Sequence, residues 1–169
     1  MKDLVLTGNS LTIDALATFA SSPDQKVALA KDSLAVAAET RAFLEGEIDQ
    51  KIIYGVNTGF GPMSTFIISP EQAKELQVNL IRSHASGVGE PIPDHYVLAT
   101  MVVRLNTLLR GHSGASIELL ESLRDLINAR IIPLIPEHGA VGTSGDLLQL
   151  AHIAHALIGG SNVHYKGEK

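Results

Sequence analysis

The chain has 169 residues, of which 45% are hydrophobic and 18% charged, so it is large and apolar enough to bury a hydrophobic core. Its formal net charge is −5, and its 13 lysines and arginines are scattered along the sequence, which argues against the basic stripe of a nucleic-acid-binding surface. Because it has no cysteine and no apolar run of about 18 residues, we expect no disulfide, no thiolate zinc site and no membrane span, and we expect a cytoplasmic protein.

The N-terminal third of the sequence predicts a strand, two helices and a loop. Residues 3–8 are strand-like, and Thr12 is placed to cap a short helix over the residues that follow it. The alanine-rich range 24–45 has a high helix propensity and predicts a long second helix, which Gly46 closes. Residues 51–63 contain too many glycines for a helix and are predicted to form a loop after a brief strand.

Four amphipathic helices are predicted in the remainder of the chain. The first begins after Ser69, the second at Asp94, the third at about Ala115 and the fourth at Leu147. Their apolar stripes are Ala73, Leu76, Leu80 and His84; Leu98, Met101, Val102, Leu105, Leu108 and Leu109; Leu119, Leu120, Leu123, Leu126 and Ile127; and Leu147, Leu150, Ala151, Ala154, Leu157 and Ile158. We therefore predict a mainly helical fold with short strands and glycine-rich loops.

The C-terminal end of the sequence is strand-like. The last helix is expected to stop at the glycine pair 159–160, and residues 162–169 follow with no partner strand after them. Such an end is typical of a chain cut from a longer protein.

The stretch 138–147, HGAVGTSGDL, places three glycines around one serine directly before the last helix. Thr143 and Asp146 have the spacing of a capping box, in which a hydroxyl residue caps a helix and an acid three positions later returns the hydrogen bond. Capping requires neither Gly142 nor Gly145, and a glycine in the first helical turn is entropically costly. A second interpretation of this stretch therefore stays open beside the cap.

In that second interpretation the backbone itself reacts. The nitrogen of Gly145 attacks the carbonyl carbon of Thr143, loss of one water closes a five-membered ring, and dehydration of Ser144 leaves an exocyclic methylidene. Only glycine leaves its nitrogen unhindered and permits the required torsions. Asp146 is placed to assist the proton transfers, and the side chain of Thr143 stays outside the ring, so its identity is less constrained.

A second glycine-rich stretch, residues 54–61 (YGVNTGFG), begins with a tyrosine. It has neither the lysine of a P-loop nor the GxGxxG spacing, so it does not match those phosphate-binding loops. An ordinary glycine loop accounts for its composition. Tyr54, held by such a loop, is equally a candidate proton acceptor.

The histidines offer two further candidates. His84 continues the apolar stripe of its helix, which is typical of a packed core histidine. His152 and His155 lie one helical turn apart, with His138 and His164 nearby in sequence. Zinc requires three or four convergent ligands and no known ligand spacing is met, so we predict no metal site.

Four stretches occur in one order: YGVNTGFGP, LIRSHASGVGEP, RLNTLLRGHSG and EHGAVGTSGDLLQLAHIAHALIGG. Together they resemble the aromatic amino acid ammonia-lyases, the family of histidine, tyrosine and phenylalanine ammonia-lyases, weakly before Lys51 and strongly after it. The family usually has alanine where this chain has Thr143. Histidine ammonia-lyases typically have Ala-Pro at Leu148-Gln149, and Gln149 is more similar to tyrosine ammonia-lyases of flavobacterial type.

The resemblance implies an electrophile, 4-methylideneimidazol-5-one (MIO), made from the tripeptide Thr143-Ser144-Gly145 beside Asp146. It implies that Tyr54 is the base that removes the β-proton of the substrate. Gly61 and His84 then bind the substrate, and the imidazole of His84 is suited to hydrogen-bond an imidazole or a phenol, because phenylalanine-specific members tend to have an apolar residue there.

The implied activity is elimination of ammonia from L-histidine or L-tyrosine to give the trans-arylacrylate. A 2,3-aminomutase that uses the same electrophile, or an inactive fragment that needs its C-terminal part, are the alternatives. Residues 1–169 would then be the single N-terminal active-site domain of a longer ammonia-lyase, which forms homotetramers and acts on a small aromatic amino acid, without nucleic-acid or membrane partners.

Overall fold

Helices make up most of the structure, a computed structural model that describes residues 2–142, 145, 147–166 and 168. Within these residues the α-helices are α1 Ile13–Ser21, α2 Lys31–Glu47, α3 Pro70–His84, α4 Asp94–Leu108, α5 Ile117–Ala129 and α6 Leu147–Leu157. The strands are β1 Leu4–Leu6, β2 Val27–Leu29, β3 Val88–Pro91, β4 Ile132–Pro133, β5 Pro136–His138 and β6 Val163–His164. A 3-10 turn spans Gly61–Met63. The prediction of a mainly helical fold with short strands is confirmed.

Helix α4 lies at the centre of the hydrophobic core. Its buried side chains are Val97, Leu98, Met101, Val102, Leu105 and Leu108. Helices α1 and α5 pack against it and contribute the buried Phe19, Leu120, Leu123 and Ile127. The predicted stripes of α4 and α5 are thus confirmed, except that Leu119 is 39% exposed.

Side-chain caps fix the start of three helices. Thr12 Oγ1 accepts a hydrogen bond from the backbone N–H of Ala15 at 3.2 Å, and Ser69 Oγ accepts from Gln72 at 3.4 Å. Ser116 caps α5 in the same way. The helix starts predicted at Thr12 and Ser69 are confirmed, because a hydroxyl three residues before a free N–H satisfies that donor.

The predicted helix over 24–45 is wrong in its first part. Strand β2 occupies Val27–Leu29 and pairs in parallel with β1, with Val27 opposite Leu4. The side-chain amide of Asn128 bonds the other edge of β2 at Val27. The Val27 N–H donates to Asn128 Oδ1 at 2.7 Å, and Asn128 Nδ2 donates to the Val27 carbonyl oxygen at 3.0 Å. These tertiary hydrogen bonds override the local helix propensity, and α2 begins only at Lys31.

Three smaller expectations also differ. Gly46 lies inside α2 and does not close it. Residues 51–53 do not form the predicted strand. The strand-like C-terminal segment does have a partner, which precedes it: β6 pairs antiparallel with β4, and His164 Nδ1 lies 2.8 Å from Asp94 Oδ1 at the start of α4.

The apolar faces of α3 and α6 are only partly buried. The stripe of α3 that ends at His84 is half-buried, and no described residue of this helix is fully buried. In α6 the buried residues are Leu148, Ala151 and Ile153, whereas Leu147 is 41% exposed. Because α3 and α6 pack mainly on each other, each keeps one open side.

In the described ranges no helix is both long and apolar enough to cross a membrane.

Candidate active site

A hydrogen bond to its phenol oxygen orients the side chain of Tyr54 at the surface of a loop. That oxygen accepts a hydrogen bond from the backbone N–H of Gly61 at 3.2 Å, and the Phe60 ring meets the Tyr54 ring edge-on, with centroids 6.1 Å apart. The Tyr54 residue is 64% exposed. The sequence-predicted residues Tyr54 and Gly61 are therefore in direct contact, and Tyr54 stays exposed to solvent.

Asn57 organises the loop that carries Tyr54, which we call the Tyr54 loop (residues 51–68). Its Nδ2 donates to the carbonyl oxygens of Ile48 at 2.8 Å and Lys51 at 2.7 Å, and its Oδ1 accepts from the N–H of Ile53 at 2.7 Å. The Asn57 side chain thus bonds the backbone groups on the N-terminal side of Tyr54, which lie outside helices and strands.

Thr58 organises the other side of the Tyr54 loop. It is 1% exposed, accepts at Oγ1 from the N–H of Gly55 at 3.1 Å, and donates to the carbonyl of Gly59 at 2.8 Å. The sequence motifs predict no role for Asn57 or Thr58. The signal for them in the sequence is that two side chains able to hydrogen-bond the backbone lie between glycines. Backbone N–H and C=O groups of such a glycine-rich loop need partners outside regular secondary structure.

His84 is the last residue of α3 and is half-buried. Its Nδ1 atom lies 2.9 Å from the carbonyl oxygen of Leu80 and 3.1 Å from Ser83 Oγ. Ser83 Oγ in turn donates to the same Leu80 carbonyl at 3.0 Å. Local contacts at the end of the helix therefore fix the orientation of the imidazole.

Gly145 adopts a backbone conformation that suits glycine. Its φ is +88°, in the left-handed region that side chains disfavour, and its N–H donates to the carbonyl of Gly142 at 3.3 Å. Apart from the chain neighbours of these glycines, no described residue has an atom within 4 Å of a Cβ placed at Gly142 or Gly145. Thr143, Ser144 and Asp146 lie outside the described residues, and so does the capping box that they would form.

Glycines allow the segment after α3 to pack closely on the segment before α6. A Cβ on Gly87 would lie 2.9 Å from the carbonyl oxygen of His138 and 3.1 Å from Leu148 Cδ1. A Cβ on Gly139 would lie 3.2 Å from the Cα of Gly87. The segment after His84 and the segment before Gly145 are thus in close contact.

The sequence profile described as aromatic amino acid lyase matches residues 11–169. The chain belongs to the aromatic amino acid lyase family. It is 48% identical over 167 residues to the histidine ammonia-lyase of Staphylococcus aureus (strain JH9), covering 98% of this chain and 33% of that protein.

Solved structures of the lyase family have the same fold. Histidine ammonia-lyase from Trypanosoma cruzi superposes with a TM-score of 0.90 at 35% identity, over 100% of this chain and 32% of that one. Pantoea agglomerans phenylalanine aminomutase gives a TM-score of 0.90 at 36% identity, over 98% and 32%. The chain spans about a third of the length of these relatives.

Helix α6 of this lyase-family chain carries polar groups that the sequence did not predict to be buried. Both ring nitrogens of His152 and the Oε1 of Gln149 are shielded from solvent and have no hydrogen-bond partner among the described residues. Burial lowers the pKa of His152, and the nearby His155 lowers it further. Both effects favour the neutral form of this half-buried imidazole.

In the described part of the chain no three side chains of His, Asp or Glu come together in a way that could hold a metal ion. His152 and His155 share α6, whereas His138 and His164 lie on two different strand pairs.

Proposed function

We propose that the chain is the active-site part of an aromatic L-amino acid ammonia-lyase, which eliminates ammonia from histidine or tyrosine to give a trans-arylacrylate. The electrophile is MIO, formed from Thr143-Ser144-Gly145. In this proposal residues 1–169 form one N-terminal domain, and the rest of the site comes from sequence outside the matched third of the relatives. The enzyme is a cytoplasmic homotetramer whose partner is a small aromatic amino acid.

The conformation of Gly145 is the observation that carries this proposal. Ring closure requires a glycine nitrogen in a tight turn, and Gly145 lies in a turn with a φ of +88°. Beyond its chain neighbours, no described residue has an atom within 4 Å of a Cβ placed there. This geometry is compatible with ring formation, which bonds the Gly145 nitrogen to the Thr143 carbonyl carbon and releases two water molecules in total.

When present, the MIO ring supplies an electrophilic carbon that captures the substrate amine and makes its nitrogen a better leaving group. Tyr54 is proposed to remove the β-proton, since its phenol is exposed yet oriented by Gly61. Asp146 assists the proton transfers during ring formation. Gly61 and His84 line the substrate position.

The substrate ring is proposed to be polar because His84 is a polar, oriented side chain at the end of α3. The 48% identity to a histidine ammonia-lyase favours histidine, whereas the similarity of Gln149 to tyrosine ammonia-lyases favours tyrosine. Replacing His84 with phenylalanine should shift the preference toward phenylalanine, and unchanged selectivity would remove the argument for a polar ring.

A 2,3-aminomutase is the second candidate, because Pantoea agglomerans phenylalanine aminomutase superposes with a TM-score of 0.90, equal to that of the Trypanosoma cruzi histidine ammonia-lyase. This enzyme class would return ammonia to the β-carbon. Incubating the complete protein separately with histidine, tyrosine and phenylalanine, followed by chromatography of the products, tests both candidates. Free arylacrylate without a β-amino acid supports the lyase, a β-amino acid supports the aminomutase, and neither product from any substrate contradicts both.

If the complete protein reacts but residues 1–169 alone do not, the chain is a fragment that needs its C-terminal part. Adding the remaining polypeptide in trans should then restore product formation.

A further inference from the structure

The ring of Phe60 lies against two neighbouring parts of the Tyr54 loop. It meets the Tyr54 ring edge-on, with an interplanar angle of 77° and centroids 6.1 Å apart, which is a favourable arrangement for two aromatic rings. It also lies over the backbone of Gly55, where a Cβ atom would be only 3.2 Å from Phe60 Cε1. Phe60 therefore packs on both the Tyr54 side chain and the residue that follows it.

The backbone of Gly55 leaves room for the Phe60 ring. Gly55 has a φ of +75°, in the left-handed region that favours glycine. Its N–H donates to Thr58 Oγ1 at 3.1 Å, and Thr58 is buried. The residue after Tyr54 is thus held by a buried side chain, and any side chain at position 55 would displace the Phe60 ring.

The backbone of Phe60 is held as well. Its carbonyl oxygen accepts a hydrogen bond from the N–H of Met63 at 3.0 Å, which begins the 3-10 turn. The next residue, Gly61, donates its N–H to the phenol oxygen of Tyr54 at 3.2 Å. Two consecutive residues thus contact Tyr54 at different points, Phe60 at the ring and Gly61 at the oxygen.

These two contacts restrain different motions of Tyr54. The phenol oxygen lies on the Cβ–Cγ axis of the ring, so rotation of the ring about that axis leaves the oxygen in place. The torsion about this bond is soft for tyrosine, and the long hydrogen bond from Gly61 restrains it only weakly. The contact with Phe60 does depend on the ring plane, because one ring must present its edge to the other.

We propose that Phe60 is a positioning residue that fixes the plane of the Tyr54 ring, and with it the direction in which the Tyr54 oxygen accepts a proton. A phenolate oxygen, like a carbonyl oxygen, accepts best near the plane of the sp² atoms to which it is bonded. Rotation of the ring therefore turns these directions away from the substrate carbon. The inference rests on the proposed function where it takes Tyr54 as the base, whereas the ring plane does not depend on that assignment.

Relaxation of ¹³C nuclei in the complete protein tests whether Phe60 fixes the ring plane. Tyrosine is labelled at its ring carbons, and the signals that disappear in Tyr54→Phe belong to Tyr54. Phe60→Leu keeps an apolar side chain without a ring edge and should lower the order parameter of these carbons. Phe60→Tyr retains the ring and should keep the wild-type value. An order parameter that is the same in Phe60→Leu and in the wild type would overturn the inference.

Phe66→Leu is the matched control for the relaxation measurement. Phe66 belongs to the same loop and is 56% exposed, whereas the ring paired with Tyr54 in the described part of the chain is that of Phe60. The order parameter of Tyr54 should therefore be unchanged in Phe66→Leu. An equal decrease in Phe66→Leu and Phe60→Leu would assign the effect to the loop as a whole and contradict a specific role of Phe60.

A single turnover measures the effect on proton removal. The substrate carries deuterium at its β-carbon, so that its removal is slowed and limits product formation. The enzyme is in saturating excess, so that the rate constant does not depend on the fraction of enzyme that is folded. Because an aromatic pair changes populations about 2- to 10-fold, the rate constant should fall by about that factor in Phe60→Leu.

The same single turnover includes the two control variants. Phe60→Tyr and Phe66→Leu should retain the wild-type rate constant, since both keep the ring edge that meets Tyr54. A wild-type rate constant in Phe60→Leu would contradict a role of Phe60 in positioning the base.

The failures of the two proposals are distinguishable. If no aromatic amino acid is deaminated, the proposed function fails, and the relaxation measurement still decides whether Phe60 fixes the Tyr54 ring. If ammonia is released normally but Phe60→Leu changes neither the order parameter nor the rate constant, only the present inference fails.

Discussion

The backbone N–H of Gly61 donates a hydrogen bond to the phenol oxygen of Tyr54 at 3.2 Å. The donor sits at the start of a 3-10 turn that Gly61 enters with a φ of +53°. Because the phenol oxygen accepts this bond from the backbone, its position depends on the loop and not on burial among side chains. The loop thus orients the phenol of a residue that is 64% exposed.

The first prediction concerns Tyr54 itself. Tyr54→Phe should lower kcat/KM of the complete protein by about 100-fold or more, because removal of a proton acceptor typically costs 10² to 10⁴ in rate. The melting temperature should change little, since the phenol is exposed. Tyr96→Phe is the matched control because Tyr96 is 59% exposed and belongs to α4. Equal activity in the two variants would exclude Tyr54 as the base.

The second prediction concerns the scaffold of the Tyr54 loop. Asn57→Ala removes three hydrogen bonds to the backbone and should destabilise the loop by about 1–3 kcal/mol. Hydrogen exchange should accelerate at the amides of Gly59 and Ile68, which close the loop.

Asn9→Ala provides the control for Asn57→Ala. The Asn9 residue is exposed, and its side chain makes no hydrogen bond with the described residues. Exchange rates at Gly59 and Ile68 that are the same in both variants would show that Asn57 does not hold the loop.

The third prediction contrasts two glycines. A Cβ on Gly59 would lie 2.6 Å from the carbonyl oxygen and 2.8 Å from the Cβ of Met63, so Gly59→Ala must displace the backbone of the 3-10 turn and should destabilise the protein by about 1–3 kcal/mol. Gly46 lies inside α2, and beyond the adjacent helix backbone no described residue has an atom within 4 Å of a Cβ placed there. Gly46→Ala should therefore stabilise the protein by about 0.5–1 kcal/mol. Urea unfolding of both variants measures these free energies, and the opposite order would contradict the packing described for the loop.

The fourth prediction concerns pH. Burial, and then the nearby His155, lowers the pKa of His152 from the ordinary value of 6.5, so the unfolded chain binds this proton at a higher pH than the folded chain does. The stability that depends on His152 is therefore complete above about pH 6.5 and falls as the pH drops below it, by at most about 1.4 kcal/mol per pH unit.

Unfolding free energies measured from pH 7.5 down to 5 check this dependence. His152→Leu should flatten the slope below pH 6.5, while the control His112→Gln, which changes an exposed histidine, should retain it. A slope that persists in His152→Leu would assign the effect to another group.

The sequence predicted those elements whose pattern is local. The stripe of α4 and the caps at Thr12 and Ser69 follow from periodicity and from a hydroxyl at the right spacing. Strand β2 was missed because its cause is distant: the strand pairs with β1, and Val27 bonds to Asn128, which is 101 residues away. Helix propensity and residue spacing do not reveal hydrogen bonds between residues so far apart in the sequence.

The candidate site divides in the same way. The glycine-rich motifs indicated Tyr54 and Gly145, because such spacing is visible in sequence, and the resemblance to the ammonia-lyases added Gly61 and His84. Asn57 and Thr58 were missed since their importance lies in which carbonyls and N–H groups they reach, and this becomes visible only when the loop is closed.

The mass of the peptide that contains Thr143, Ser144 and Gly145 tests the central claim most directly. The complete protein is digested, and the peptide is compared with the same peptide from a Ser144→Ala variant, which cannot form the methylidene. We predict that the wild-type peptide is lighter than its sequence mass by two water molecules, one from ring closure and one from dehydration of Ser144. A wild-type peptide at its full sequence mass would contradict the proposed electrophile.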